Sequence, residues 1–170
     1  LYASTFESEN LYLLNDTSIT TIDNIDISFV AIQDTLDPVK TCGRLQELPE
    51  FPKSKNRSNY NIALFHGTFA NIKINHTTSS DVSQYPFKWI EDFDYVLLGD
   101  IHLRQTGIYK DKTLWGYSGS LIQQNYGEDI INHGYMIWDL ESKKISEINV
   151  YNDKGFVYLK EKDDEILINH

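Results

Sequence analysis

Two short apolar runs in this chain each stop at a glycine beside a side chain able to bind a metal ion. Residues 61–65 (NIALF) end in His66-Gly67, and residues 95–98 (YVLL) end in Gly99-Asp100-Ile101-His102. Continuous apolar runs of this length that end abruptly read as buried strands leaving a sheet. Ligands in sheets flanked by helices gather at the carboxyl ends of such strands, so the two clusters are expected on one rim. If the backbone stays extended, Asp100 and His102 point to the same side while Ile101 points into the core. One carboxylate and one imidazole then face a common point. That donor pair suits manganese, iron or zinc better than calcium, and an open position on such a metal activates water. Taken singly, each histidine reads as a hydrogen-bonded structural residue. The pairing at two strand ends is what makes His66, Asp100 and His102 candidate ligands. His76 in a Ser/Thr-rich stretch and His170 at the end of the chain have no such context and read as solvated, and His133 before Gly134 reads as a turn residue.

The elements around these clusters follow from local pattern. Residues 11–33 alternate β-prone runs with Asn/Asp turn signals, predicting two or three strands in hairpin succession. Residues 34–59, with Pro38, Pro49 and Pro52, read as loop, as do residues 70–84. Pro86 before FKWIEDF predicts a short amphipathic helix ending near Asp94. Hairpins are expected around residues 110–112 and 141–144, and the chain from Asp153 is charged and weakly patterned.

The 170 residues, 41% of them hydrophobic, suffice for one packed domain. No run of about 18 apolar residues is present, so no membrane span is expected. A single cysteine, Cys42, excludes an internal disulfide and a cysteine-based zinc site, which fits an intracellular protein of the cytoplasm or the nucleoid or nucleus. The formal net charge of −10 argues against binding nucleic acid by charge alone. The chain starts at Leu1, which suggests processing or excision from a longer reading frame.

The run FDYVLLGDIHLRQ, then LWGYSGSLIQQNYGE, then HGYMIWDLE resembles the end of the calcineurin-like metallophosphoesterase domain of SbcD-type repair nucleases. In that family a strand ends in Leu-Gly-His-x-His, followed by Tyr-Pro-Gly-Ser, a glutamate, and a Lys-Gly pair opening the last hairpin. NIALFHG is similar to its earlier strand ending in His-Gly. The resemblance covers roughly residues 61–150. It implies an α/β fold, a partial metallophosphoesterase-type β-sandwich flanked by helices, with residues 1–150 the C-terminal part of that domain and 151–170 a charged tail or the start of a following one. It implies two divalent metal ions, manganese or else magnesium, with His66 on the second metal and His102 on the first. Asp100 stands where the family has the first histidine of its motif, which makes the site harder, and Ser118 stands where it has proline.

The parent protein so implied is a manganese-dependent DNA exo- or endonuclease of DNA repair, working as a homodimer with an SbcC-type ATPase. The opening motifs of the family's domain, Asp-x-His, Gly-Asp-x-x-Asp and Gly-Asn-His-Asp, are not matched by the resemblance, so no catalytic residue is assigned within the chain and the chain alone is expected to be inactive. Small residues after a strand let backbone amides approach a phosphate, and residues 117–126 offer polar and stacking groups. Tyr117, Gly119, Ser120 and Asn125 are therefore candidate substrate contacts, with Arg104 a candidate phosphate neighbour. The other reading of that stretch is a turn and a polar surface loop. Two rival functions remain: a non-catalytic remnant or scaffold module, and a phosphoesterase acting on small nucleotides or phosphoproteins.

Overall fold

The computed structural model describes residues 14, 16–31, 50–80, 85–162 and 165–169. Cys42, Pro38, Pro49 and His170, and with them most of the expected loop at 34–59, lie outside the described residues. Strands β1 (Ser18–Ile22) and β2 (Ile25–Phe29) form the expected hairpin, antiparallel with Thr20 opposite Ile27. β3 (Tyr60–His66) and β4 (Tyr95–Gly99) are the two apolar runs. β5 (Gln105–Tyr109) and β6 (Thr113–Tyr117) flank the turn at 110–112, where Lys110 and Asp111 adopt positive φ. These six strands make one mixed sheet in the order β1-β2-β3-β4-β6-β5, with β2, β3, β4 and β6 mutually parallel. β7 (Gly134–Asp139) and β8 (Lys144–Asn149) pair around the expected turn, whose amides at Glu141 and Ser142 donate to the Asp139 carboxylate. Beyond them β9 (Tyr158–Lys162) and β10 (Glu165–Asn169) form a further antiparallel hairpin where only a weakly patterned tail was expected.

The side-chain period of two divides the central strands between two faces. Ala63, Phe65, Val96, Leu98, Trp115 and Tyr117 share one face, with Phe65 opposite Leu98 and Leu98 opposite Tyr117. Against it pack Phe51, Phe69, Ile72, Ile90 and Phe93. The layer is strongly aromatic: Phe65 meets Phe51, Phe69, Tyr85 and Trp89 edge-on at centroid separations of 4.8–6.0 Å, the geometry the ring quadrupole favours. On the opposite face the β7–β8 hairpin covers the sheet, with Trp138 over Gly116, its ring edge-on to Tyr95 at 6.3 Å and the Tyr95 hydroxyl donating to the Leu140 carbonyl at 2.6 Å.

This architecture overturns the expected α/β class with flanking helices. Among the described residues the chain is nearly all β, a sandwich-like arrangement of sheets, and its one helical element is a single 3-10 turn, Phe87–Ile90. The helix expected after Pro86 does not propagate, and the reason is physical. Seven residues are too few to nucleate an α-helix on local propensity. The backbone bonds Trp89 N–H to Pro86 O, Glu91 N–H to Lys88 O and Phe93 N–H to Ile90 O are all i to i+3. The 3-10 turn and the i to i+3 bond that follows it bring Ile90 and Phe93 into the core, with Phe87 half-buried against it. In the crossover from β3 to β4, a connection more often made by a helix, the described residues are irregular chain with bridges Phe69–Tyr85 and Lys73–Ser79 and the one 3-10 turn. No helix among the described residues is long and apolar enough to cross a membrane.

Candidate functional site

β3 and β4 run parallel in a register that sets His66 directly beside Gly99. A Cβ at Gly99 would come within 2.9 Å of the His66 ring, so the absence of a side chain lets the imidazole lie across the end of the neighbouring strand. His66 is exposed, and its ring makes no hydrogen bond among the described residues. The Gly67 amide donates to the Gly99 carbonyl at 3.3 Å, extending the pairing one residue past the strand ends.

Tyr117, at the end of β6, fixes this corner from beneath. Its hydroxyl is fully buried, donating to the Gly67 carbonyl at 2.8 Å and accepting from the Phe69 amide at 3.0 Å. Burial pushes its phenol well above the ordinary tyrosine range, so it stays neutral. Tyr117 is thus a support for the turn after His66 and presents no group to a bound substrate. Removing the hydroxyl in Tyr117→Phe leaves a buried carbonyl and amide unpaired, an expected loss of about 1–3 kcal/mol. Urea unfolding checks this, and an unchanged midpoint would show that the hydroxyl is not holding the turn.

Beyond Gly99 the extended alternation breaks. Asp100 sits at φ 94°, a region rarely adopted by residues with a side chain, and its Oδ2 accepts from the Thr68 hydroxyl at 2.6 Å. Ile101 is buried, as the alternation required, and Asp100 and His102 are exposed. The common orientation of Asp100 and His102 therefore comes from a positive-φ turn and a hydrogen bond to the β3 side; extended backbone does not continue past Gly99. His66, Gly99, Asp100, Ile101, His102, Gly119, Ser120, Leu121 and Gln124 line one open cleft of about 370 Å³. The three candidate ligands thus share a rim, as their positions at strand ends demanded. Among the described residues no three His, Cys, Asp or Glu side chains converge tightly enough to hold a metal ion by themselves.

The loop after β6 closes the cleft from the other side. Gly119 has φ 75°, and a Cβ there would strike the His102 carbonyl at 2.8 Å, so this position requires glycine both for conformation and for space. The Ser120 amide then donates to the His102 carbonyl at 3.3 Å. Ser120 itself is buried, its hydroxyl lying 3.0 Å from Glu128 Oε2 and 2.9 Å from His133 Nδ1. Asn125 donates to Glu128 Oε1 at 2.6 Å and accepts from the Gly127 amide at 2.8 Å, which makes it a brace of its own turn.

Glu128, not singled out among the site residues from sequence, is where these bonds meet. His102 Nδ1 lies 2.7 Å from its Oε1, and the Gln124 amide donates to Oε2 at 2.9 Å. Burial works to raise its pKa, and the bonds from His102, the Gln124 amide and Ser120 together outweigh it, holding Glu128 below the usual carboxylate range. The one signal available in sequence was the glutamate that follows Gly-Ser in the family pattern. His133 proves to be a buried partner of Ser120, with its Nε2 2.5 Å from the Asp129 carbonyl, and exposed His76 pairs with the Asp129 carboxylate at 2.7 Å.

Arg104 faces away from the role expected of it. Its side chain is only 7% exposed, donating to the Ser118 carbonyl, to Asn149 Oδ1 at 2.7 Å and to the Ile148 carbonyl, with Glu147 3.8 Å away. It clips the β7–β8 hairpin to the segment after His102, and each of its three nitrogens is engaged in one of these bonds. A second cleft, also about 370 Å³, lies on that side, lined by His76, His102, Arg104, Glu128, Asp129 and Glu147 among others, so His102 stands on the wall between the two.

No protein-family profile matches the chain. It is 30% identical over 164 residues to an uncharacterized protein of Acanthamoeba polyphaga mimivirus, an alignment that covers 96% of this chain and 12% of that protein. The chain thus spans about an eighth of the relative's length. The three-residue pattern Asp-x-His does occur once in the chain, as Asp100-Ile101-His102, in the block that resembles the family's closing motif.

Proposed function

We propose that this chain forms one side of a divalent-metal phosphoesterase site, the closing part of a nuclease of the SbcD type whose remaining ligands lie in a longer protein. The observation that carries this reading is the cleft itself: His66 and His102 come from the ends of two adjacent parallel strands and line it together with Asp100. The donor set suits manganese or magnesium with some imidazole character. His66 has an unengaged ring among the described residues, and His102 has Nδ1 occupied by Glu128, which leaves Nε2 as its open nitrogen. Strained backbone at Asp100, which costs on the order of 1–3 kcal/mol, is typical of residues held for a function.

Bound metal would supply Lewis acidity and an activated water. The chain's own residues hold the donors: Gly99 makes room for His66, Thr68 orients the Asp100 carboxylate, and Gly119 and Ser120 bring the loop against the His102 carbonyl. DNA is the substrate class this reading favours, with a homodimer and an SbcC-type ATPase as partners of the longer protein. A scaffold role is the second reading, favoured by the lack of a three-ligand cluster among the described residues. The net charge of −10 leans toward a small-nucleotide or phosphoprotein substrate.

Calorimetric titration of the 170-residue chain with Mn2+ tests the proposal. Weak binding is expected, lost in His66→Ala/His102→Ala, with no hydrolysis of single-stranded DNA by the chain alone. Binding that survives the double substitution would place the metal elsewhere, and no binding at millimolar Mn2+ would favour the scaffold.

A further inference from the structure

We infer that Glu128 is a positioning residue for His102, holding its imidazole in the Nδ1-protonated form so that Nε2 is the nitrogen offered to a metal; the functional part of this rests on the reading above. The geometry around the carboxylate is saturated. Oε1 receives His102 Nδ1 and Asn125 Nδ2, and Oε2 receives the Ser120 hydroxyl and the Gln124 amide, at 2.6–3.0 Å. Four donors fill the four lone-pair sites of an ionised carboxylate, which has no proton to give. The side chain is 12% exposed, so water cannot readily substitute for any of the four.

His102 must therefore donate from Nδ1, and in its neutral form its lone pair then sits on Nε2. A carboxylate behind a histidine in this way sets the tautomer and raises the basicity of the ligating nitrogen. The support reaches further back, since Ser120 also contacts buried His133, whose other nitrogen is bound to the Asp129 carbonyl. A plain surface ion pair would not need this depth of bracing. Glu128 lies 26 residues from His102 along the chain.

The test is the 15N spectrum of the histidine rings in the labelled 170-residue chain, metal-free at neutral pH. Wild-type His102 is expected as a single Nδ1–H tautomer. Glu128→Ala, which removes the acceptor, should shift it toward the Nε2–H form that free imidazole prefers, while Asn125→Ala, which removes a brace and spares the carboxylate, should keep Nδ1–H. The amide spectrum confirms that each variant is folded. An Nε2–H or doubly protonated His102 in the wild type overturns the inference. So does an unchanged tautomer in Glu128→Ala, or an equal shift in Asn125→Ala, which would make loop order the cause.

Mn2+ added to the same samples should broaden the His66 and His102 rings in the wild type, with affinity about 10–100-fold lower in Glu128→Ala. If the tautomers behave as expected and Mn2+ leaves both rings sharp, the metal reading falls and the positioning role of Glu128 stands. If Mn2+ broadens both rings in wild type and Glu128→Ala alike at equal concentration, the metal reading stands and the positioning role falls.

Discussion

In a longer protein that carries the rest of the site, His102→Ala should abolish manganese binding and phosphodiester cleavage, and Asp100→Asn should weaken both by about 10–100-fold, the range set by the loss of a residue supporting a metal site. The asparagine variant is a clean comparison, because its amide oxygen still accepts the bond that Thr68 donates to Asp100 at 2.6 Å. What it removes is negative charge on an oxygen donor. Asp100→His should keep metal and move preference toward zinc or cobalt, since imidazole is the softer ligand. Affinity by calorimetry and cleavage rate, measured side by side for the three variants, decide the matter. Were Asp100→Asn to match the parent while His102→Ala lost metal, Asp100 would serve the turn at φ 94° and not the metal. Were none of the three to change metal content or rate, the scaffold reading would replace the enzyme.

The largest stability effect is expected at Phe65. Its ring is 4% exposed and touches Phe51, Phe69, Tyr85 and Trp89, joining β3 to the loop and the 3-10 turn that replace a helical layer. Phe65→Ala should cost about 3–5 kcal/mol, transfer and cavity terms together. For a chain of this size that lowers the melting temperature by on the order of 10 °C. Ile108→Ala, at a position 61% exposed on edge strand β5, should stay within about 0.5 kcal/mol. Thermal unfolding of both variants would contradict this account of the core if the two losses were similar.

Sequence reading located what depends on short-range pattern. The strands ending at His66 and Gly99 were legible because an unbroken apolar run bounded by glycine has few other meanings. The turn at 110–112 and the hairpin around 141–144 were legible from charged residues between β-prone runs. The rim shared by His66, Asp100 and His102 followed from placing two such strands in parallel. What escaped was settled by tertiary contact. Nothing local distinguishes the α-turn from the 3-10 turn after Pro86; the choice falls to the aromatic core that receives Phe87, Ile90 and Phe93. Tyr117 and Arg104 looked like ligand contacts because tyrosine and arginine near a small-residue stretch often are, and each is instead consumed by main-chain groups of a neighbouring segment. The tie between His102 and Glu128 spans 26 residues and has no periodic signature.

The Arg104 clip has a consequence for motion. The β7–β8 hairpin forms a separate two-stranded sheet, seated on the main sheet through Trp138 and Tyr95 and joined at its last strand to a guanidinium two residues past His102. Elements held by few such contacts open as cooperative units well below the free energy of global unfolding. If this hairpin lifts, the guanidinium gives up Asn149 and the Ile148 carbonyl and keeps the Ser118 carbonyl, which lies outside the hairpin. Amide exchange in the hairpin is then expected to track the order of the segment after His102, and opening would bring positive charge toward the wall between the two clefts.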